Sequence, residues 1–322
     1  AGYGGSLLLA PFVTALIRRK SLRLVAVVGA LVLPLAALFL SFSKHIHQAF
    51  VCWCGVMAVG SGFVLTTSSA IVGRYFRKRR EIAEMLALGG SGVGMGVVTV
   101  SFRHLLSVLG WLRGWQAMAL ALIPATIACC FYRSAALYHP RRHAILHVRN
   151  LHKSKQAQQQ FENKAPYLDF SPLSMRSLQV IMASAGLTAL GSYTPFLLLP
   201  AILEREGMNS RSTTLLQVFL GVAFAFGGLL VGLVEVKGNL RCVIVPQYFC
   251  QLASLGCGVV TLMYIPAKGF YGATVYTWTY GLFCGAHAYS LKIHTCEMVT
   301  LKVFERAWGY VMFAQALPTF LG

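Results

Sequence analysis

The sequence predicts an all-α membrane protein, and two observations carry that prediction. The 322 residues are 57% hydrophobic and 11% charged, with a mean hydropathy of +0.65, whereas an average soluble domain carries about 25% charged residues. The apolar residues fall in runs near the roughly 20 that a bilayer core demands of a helix, and Lys and Arg collect between the runs. A net charge of +19 would suggest nucleic acid in a soluble chain. Here the charge sits in turns and no RNA- or DNA-binding motif accompanies it, so no nucleic-acid partner is expected. Among the nine cysteines, Cys52, Cys54, Cys129, Cys130, Cys250, Cys257 and Cys284 lie in apolar runs and read as small core residues. No nucleophile and base, phosphate loop or metal set is visible. The chain does not read as an enzyme, and no cofactor is expected.

The first apolar segment, 3–17, follows no charged leader or cleavage site, so no signal peptide is expected; it ends at Arg18, Arg19, Lys20 and Arg23. Spans at 22–43 and 49–73 follow. The next turn holds Arg74, Arg77, Lys78, Arg79 and Arg80, and a mid-helix Arg costs roughly 3 kcal/mol in hydrocarbon, so the turn marks a membrane edge. Beyond it Glu81 and Glu84 suit a helix N-terminus and a basic neighbour. The span 83–108 then carries Gly89, Gly90, Ser91, Gly92, Gly94 and Gly96, small residues that let a second membrane helix come close. A span at 115–137 completes a first bundle, 1–137.

Residues 138–175 form a polar, basic linker with no apolar period. His139, His143, His147 and His152 recur within it, but without acidic or Cys ligands they do not read as a metal site. The second bundle, 176–322, has spans at 176–203, 212–236, 241–265, 269–291 and 307–322, making ten in all. Tyr193, Thr194 and Pro195 should break the first of these. Of the 28 Lys and Arg, 22 fall on the linker side, leaving Lys44, Arg103, Arg113, Arg205, Arg211 and Lys268 on the other. By the positive-inside rule the linker is cytoplasmic.

Three regions share one pattern. Tyr75 and Phe76, the basic cluster and the Gly/Ser-rich helix come in that order; Gly110 and Trp111 follow; and Phe304, Ala307, Gly309, Pro318 and Gly322 are spaced along the last run. In this the sequence resembles the monocarboxylate transporter family, a branch of the major facilitator superfamily of solute carriers. The resemblance implies a major facilitator fold with two helical bundles around a central cavity. The bundles would be helices 2–6 and 7–11 of twelve, the first and last lying outside this chain. It further implies multi-pass residence in the plasma membrane and symport of a small organic solute, a monocarboxylate, by alternating access. Besides the lipid bilayer, it leaves open a single-span ancillary membrane protein as partner.

Departures from the family pattern bear on the solute. Ser21 and Arg18 stand where the family has small and acidic or amide residues. Aligning Gly232 puts Phe224 and Gly228 where an Asp and an Arg are found, and Gln315 replaces an acid seen in some relatives. Without the Asp/Arg pair the chain lacks that device for coupling a proton to an anion. Polar groups inside spans are then the candidate solute ligands. These are Arg103 beside His104, which otherwise snorkels to the headgroups; Tyr193 at the helix break, which otherwise marks a packing kink; and Tyr276, Tyr280 and His287, which otherwise are interface tyrosines and a core histidine. Arg79, Glu81, Glu84 and Glu235 are candidate gating residues, placed to form ion pairs that break when the cytoplasmic mouth opens. Two alternatives stand beside the carboxylate transporter. One is a facilitator of aromatic amino acids or other zwitterionic or neutral metabolites, and the other a non-transporting membrane sensor or scaffold.

Overall fold

The structure is a computed structural model that describes residues 2–76, 79–132, 167–237, 246–264, 269–299 and 301–321. Most of the linker, with its four His, lies outside the described residues, as do Arg77, Lys78, Arg241 and Lys268. Those described are nearly all helical, with no strand among them.

Helices α1 (Gly2–Leu8) and α2 (Ala10–Arg19) meet at Leu9, just before Pro11 in the first turn of α2. The next helix, α3 (Leu22–Ser41), is capped by Ser21, whose hydroxyl accepts the Leu24 N–H at 3.3 Å. Then α4 (Ile46–Val51) runs through a π-helical turn, Cys52–Met57, into α5 (Ala58–Tyr75).

The 51 residues of α6 (Arg80–Cys130) would reach about 77 Å as a straight rod. They form two arms instead. Gly110, at φ 73 and ψ −178, occupies backbone space essentially reserved for glycine. Beyond it the Trp115 ring comes back to within 4.8 Å of Phe102. The two expected spans are therefore one hairpin hinged on a single residue.

A short 3-10 turn, Ser171–Ser174, leads into α7 (Arg176–Ser192). The break expected at Tyr193 separates α7 from α8 (Thr194–Arg205). Four helices complete the described chain: α9 (Ser210–Lys237), α10 (Pro246–Met263), α11 (Gly269–Met298) and α12 (Leu301–Leu321). By length and hydropathy alone Leu22–Ser41, Ile46–Tyr75, Arg80–Cys130 and Ser210–Val236 can cross a membrane, and α7 with α8 can do so as a bent pair.

Two seams join α1–α6 to α7–α12: α6 packs on α9, and α1 and α2 pack on α12. The first is closed by glycine. A Cβ on Gly92 would stand 2.5 Å from the Gly221 carbonyl oxygen, while Gly89 and Gly96 face Leu229 and Val218 at ordinary contact distance. Gly90 and Gly94 face open space, so the small-residue stripe works through one face only. Behind α9, Leu199, Leu203, Leu216, Leu220, Tyr276 and Tyr280 form a core shared by α8, α9 and α11.

Candidate functional site

At the linker end of the α6 seam the helix begins with Arg80 and Glu84, one turn apart and both buried. Lys292, on α11 of the other half, places Nζ 2.5 Å from one Glu84 oxygen, and Arg80 Nη2 lies 3.6 Å from the second. The cations are held in turn: the Arg80 guanidinium lies 3.8 Å over the Phe304 ring, and Lys292 Nζ is 3.3 Å from Ser69 Oγ. A carboxylate this deep is tolerated because two cations face it. Nearby, the Tyr289 hydroxyl is 3.5 Å from the Glu81 carbonyl oxygen, and Glu235 lies beside Tyr289.

Two further ionic links cross the other seam at the same end. Arg74 of α5 grips Glu305 of α12 through two hydrogen bonds, at 2.7 and 2.8 Å, the bidentate geometry peculiar to Arg. Asp169, on the segment entering α7, pairs with Arg306 of α12 while Arg18 of α2 stands 3.6 Å from the same oxygen. The Tyr310 hydroxyl donates to the Asp169 carbonyl at 3.0 Å, and the Arg19 guanidinium lies 3.5 Å over the Tyr167 ring. The N–H and hydroxyl of Ser171, then Arg306 and Arg18, hold the Asp169 carboxyl below its ordinary pKa.

At the opposite end one residue ties the same halves. Arg103 on α6 reaches Glu204 of α8 at 2.5 Å, the Ser210 carbonyl and hydroxyl at 2.6 and 2.7 Å, and Thr214 of α9 at 2.9 Å. Its guanidinium therefore clamps two helix ends.

Between these ends lie the aromatic candidates. At the break between α7 and α8, Tyr193 meets Tyr3 of α1 with ring centroids 5.0 Å apart. Tyr280 is buried, stacks on Tyr276 at 5.6 Å, and donates to the Ser192 carbonyl at the break, 2.8 Å away. His287 lies two turns toward the linker end, buried, with Nδ1 3.7 Å from Cys250 Sγ. Phe224 packs edge-on to Phe196, and Leu88 of α6 fills the space beside Gly228. Neither Phe224 nor Gly228 carries a charge, and a side chain at Gly228 would meet Leu88 at 2.4 Å. Among the described residues no group of three or more His, Cys, Asp or Glu is placed to hold a metal ion.

The candidate gating residues are thus distributed unevenly. Glu84 is engaged across the seam, Glu81 and Glu235 adjoin it, and Arg79 is exposed at the helix start while its neighbour Arg80 turns inward. Sequence reasoning missed Arg80, Lys292, Glu305 and the Asp169–Arg306 pair. An i, i+4 Arg/Glu spacing and a Lys inside α11 were the available signals.

A family model for the major facilitator superfamily matches residues 1–322. Human monocarboxylate transporter 2 is 24% identical over 318 residues, which cover 97% of this chain and 66% of that protein. Human monocarboxylate transporter 1 is 22% identical over 342 residues, covering 99% and 67%. The chain spans about two thirds of the length of these curated relatives. Among solved structures, the proton:xylose symporter XylE bound to 6-bromo-6-deoxy-D-glucose superposes with a TM-score of 0.70 at 10% identity, covering all of this chain and 76% of that one.

Proposed function

Because the chain belongs to the major facilitator superfamily, we propose that it works as a secondary transporter of the monocarboxylate-transporter type, moving a small organic solute across the plasma membrane by alternating access. One observation carries this reading: charged pairs join the same two halves at both ends of one seam, Glu84–Lys292 at one and Arg103–Glu204 at the other. A rocking mechanism needs both contacts, each broken in turn around a midplane site. The end with Glu84, Arg80 and Lys292 is the cytoplasmic mouth, with Glu81, Glu235 and Arg79 about it. Tyr193, which meets Tyr3 across the halves, is the first solute-facing candidate. Arg103, Tyr276, Tyr280 and His287 support the path from the opposite mouth.

A second reading has its own support. With Phe224 and Gly228 in α9 and Leu88 against Gly228, these two positions carry no charge, which favours a zwitterionic or neutral metabolite and argues against lactate-type proton coupling. Uptake of labelled lactate, larger carboxylates and aromatic amino acids into cells expressing the full-length protein, at two external pH values, separates the readings. Carboxylate uptake supports the first and amino-acid uptake without pH dependence the second. No uptake of any solute, with surface expression verified, overturns both in favour of a scaffold.

A further inference from the structure

A groove of about 820 Å³ opens along the α6–α9 seam at the end opposite the linker. Its walls are graded. Arg211 and His104, both exposed, stand toward the start of α9, with Arg103 below them; Val100, Leu215 and Val218 line the deeper part. From Arg211 to Val218 the helix rises about 10 Å, the depth over which a lipid passes from headgroup to acyl chain. The apolar wall also continues beyond the groove, since Val93 and Val97 are exposed on α6 at the spacing that carries on from Val100.

We propose that this groove is a binding site for one phospholipid, its phosphate held by Arg211 and His104 and the first part of its chain laid on Val100, Leu215 and Val218. The two halves of the groove support this jointly. Arg and His donors suit a phosphate, and a small soluble anion would gain nothing from a valine track leading toward the bilayer centre. Because Arg103 forms both the groove's middle and the clamp to Glu204, a lipid seated here contacts the ion pair that closes this mouth. Lipid composition would thereby bias the mouth.

The test is native mass spectrometry of the purified full-length protein titrated with dioleoylphosphatidylglycerol, with dioleoylglycerol as the same chains lacking phosphate, and with inorganic phosphate in excess as competitor. Wild type should bind one dioleoylphosphatidylglycerol that Arg211→Gln combined with His104→Gln weakens about fivefold or more. Arg103 is left intact so that the seam keeps its clamp, and an unchanged melting temperature certifies the variant's fold. Equal binding of dioleoylglycerol, or equal lipid binding by wild type and variant, overturns phosphate recognition. Displacement of the lipid by inorganic phosphate reassigns the groove to a soluble anion and overturns the lipid.

Discussion

The Glu84 carboxylate and the Lys292 ammonium lie 2.5 Å apart across the seam, on helices from opposite halves, with the Glu84 side chain only 2% exposed. Removing Glu84 leaves Lys292 and buried Arg80 without a counter-charge, and removing Lys292 leaves Glu84 with Arg80 alone, 3.6 Å away; breaking a buried pair costs up to about 3–5 kcal/mol. Glu84→Gln and Lys292→Met should each lower the melting temperature and raise labelling of a cysteine placed at Ser69. The double variant should recover part of the loss, giving a coupling energy of about 1–3 kcal/mol. Strictly additive single-variant effects would show that the pair does not hold the halves.

The Asp169 link has a pH signature. Its carboxyl titrates below the ordinary value, near 3.9, so its contribution is complete above the unfolded pKa and is lost as pH falls through the folded one. The difference in melting temperature between wild type and Asp169→Asn should stay level from about pH 7 to about pH 5 and shrink below about pH 4. A difference that already vanishes near pH 6 would mean that another group controls this link.

Glycine on the α6–α9 seam can be tested with an internal control. Gly92→Leu must push α9 away, since even a Cβ would stand 2.5 Å from the Gly221 oxygen, and overpacking typically costs about 1–3 kcal/mol. Gly90→Leu and Gly94→Leu meet open space and should melt like wild type. Equal effects from all three would place the seam on another face of α6.

Gly110→Ala isolates a backbone cost. Nothing lies within 4 Å of the added Cβ, so the loss, about 1–3 kcal/mol, comes from the dihedral angles alone. Gly110→Ser should then destabilise about as much as Gly110→Ala in thermal melts. A much larger loss for Ser would indicate crowding.

The helices were legible because a long apolar run has few alternatives once it must satisfy its backbone in lipid, and the break at Tyr193 because Pro195 withholds an N–H. Helix ends were less so. Tyr75 and Arg80 bracket a shorter gap than hydropathy suggests, because charged side chains can continue a helix past the hydrocarbon. The cross-seam partners of Glu84 and Asp169 were hidden for a different reason. Nothing local in Lys292 or Arg18 says which helix will face it, and that information belongs to the packing of two halves far apart in sequence. Even the glycine stripe gave a composition but not a phase: Gly89 and the positions three and seven after it face α9, and Gly90 and Gly94 do not.

The single-residue turn at Gly110 also constrains how α6 can move. With no loop between them the two arms share one joint, so a displacement of the first arm, which packs on α9, carries the second arm with it. A shift along the seam is thereby passed to α3, against which the rest of α6 packs.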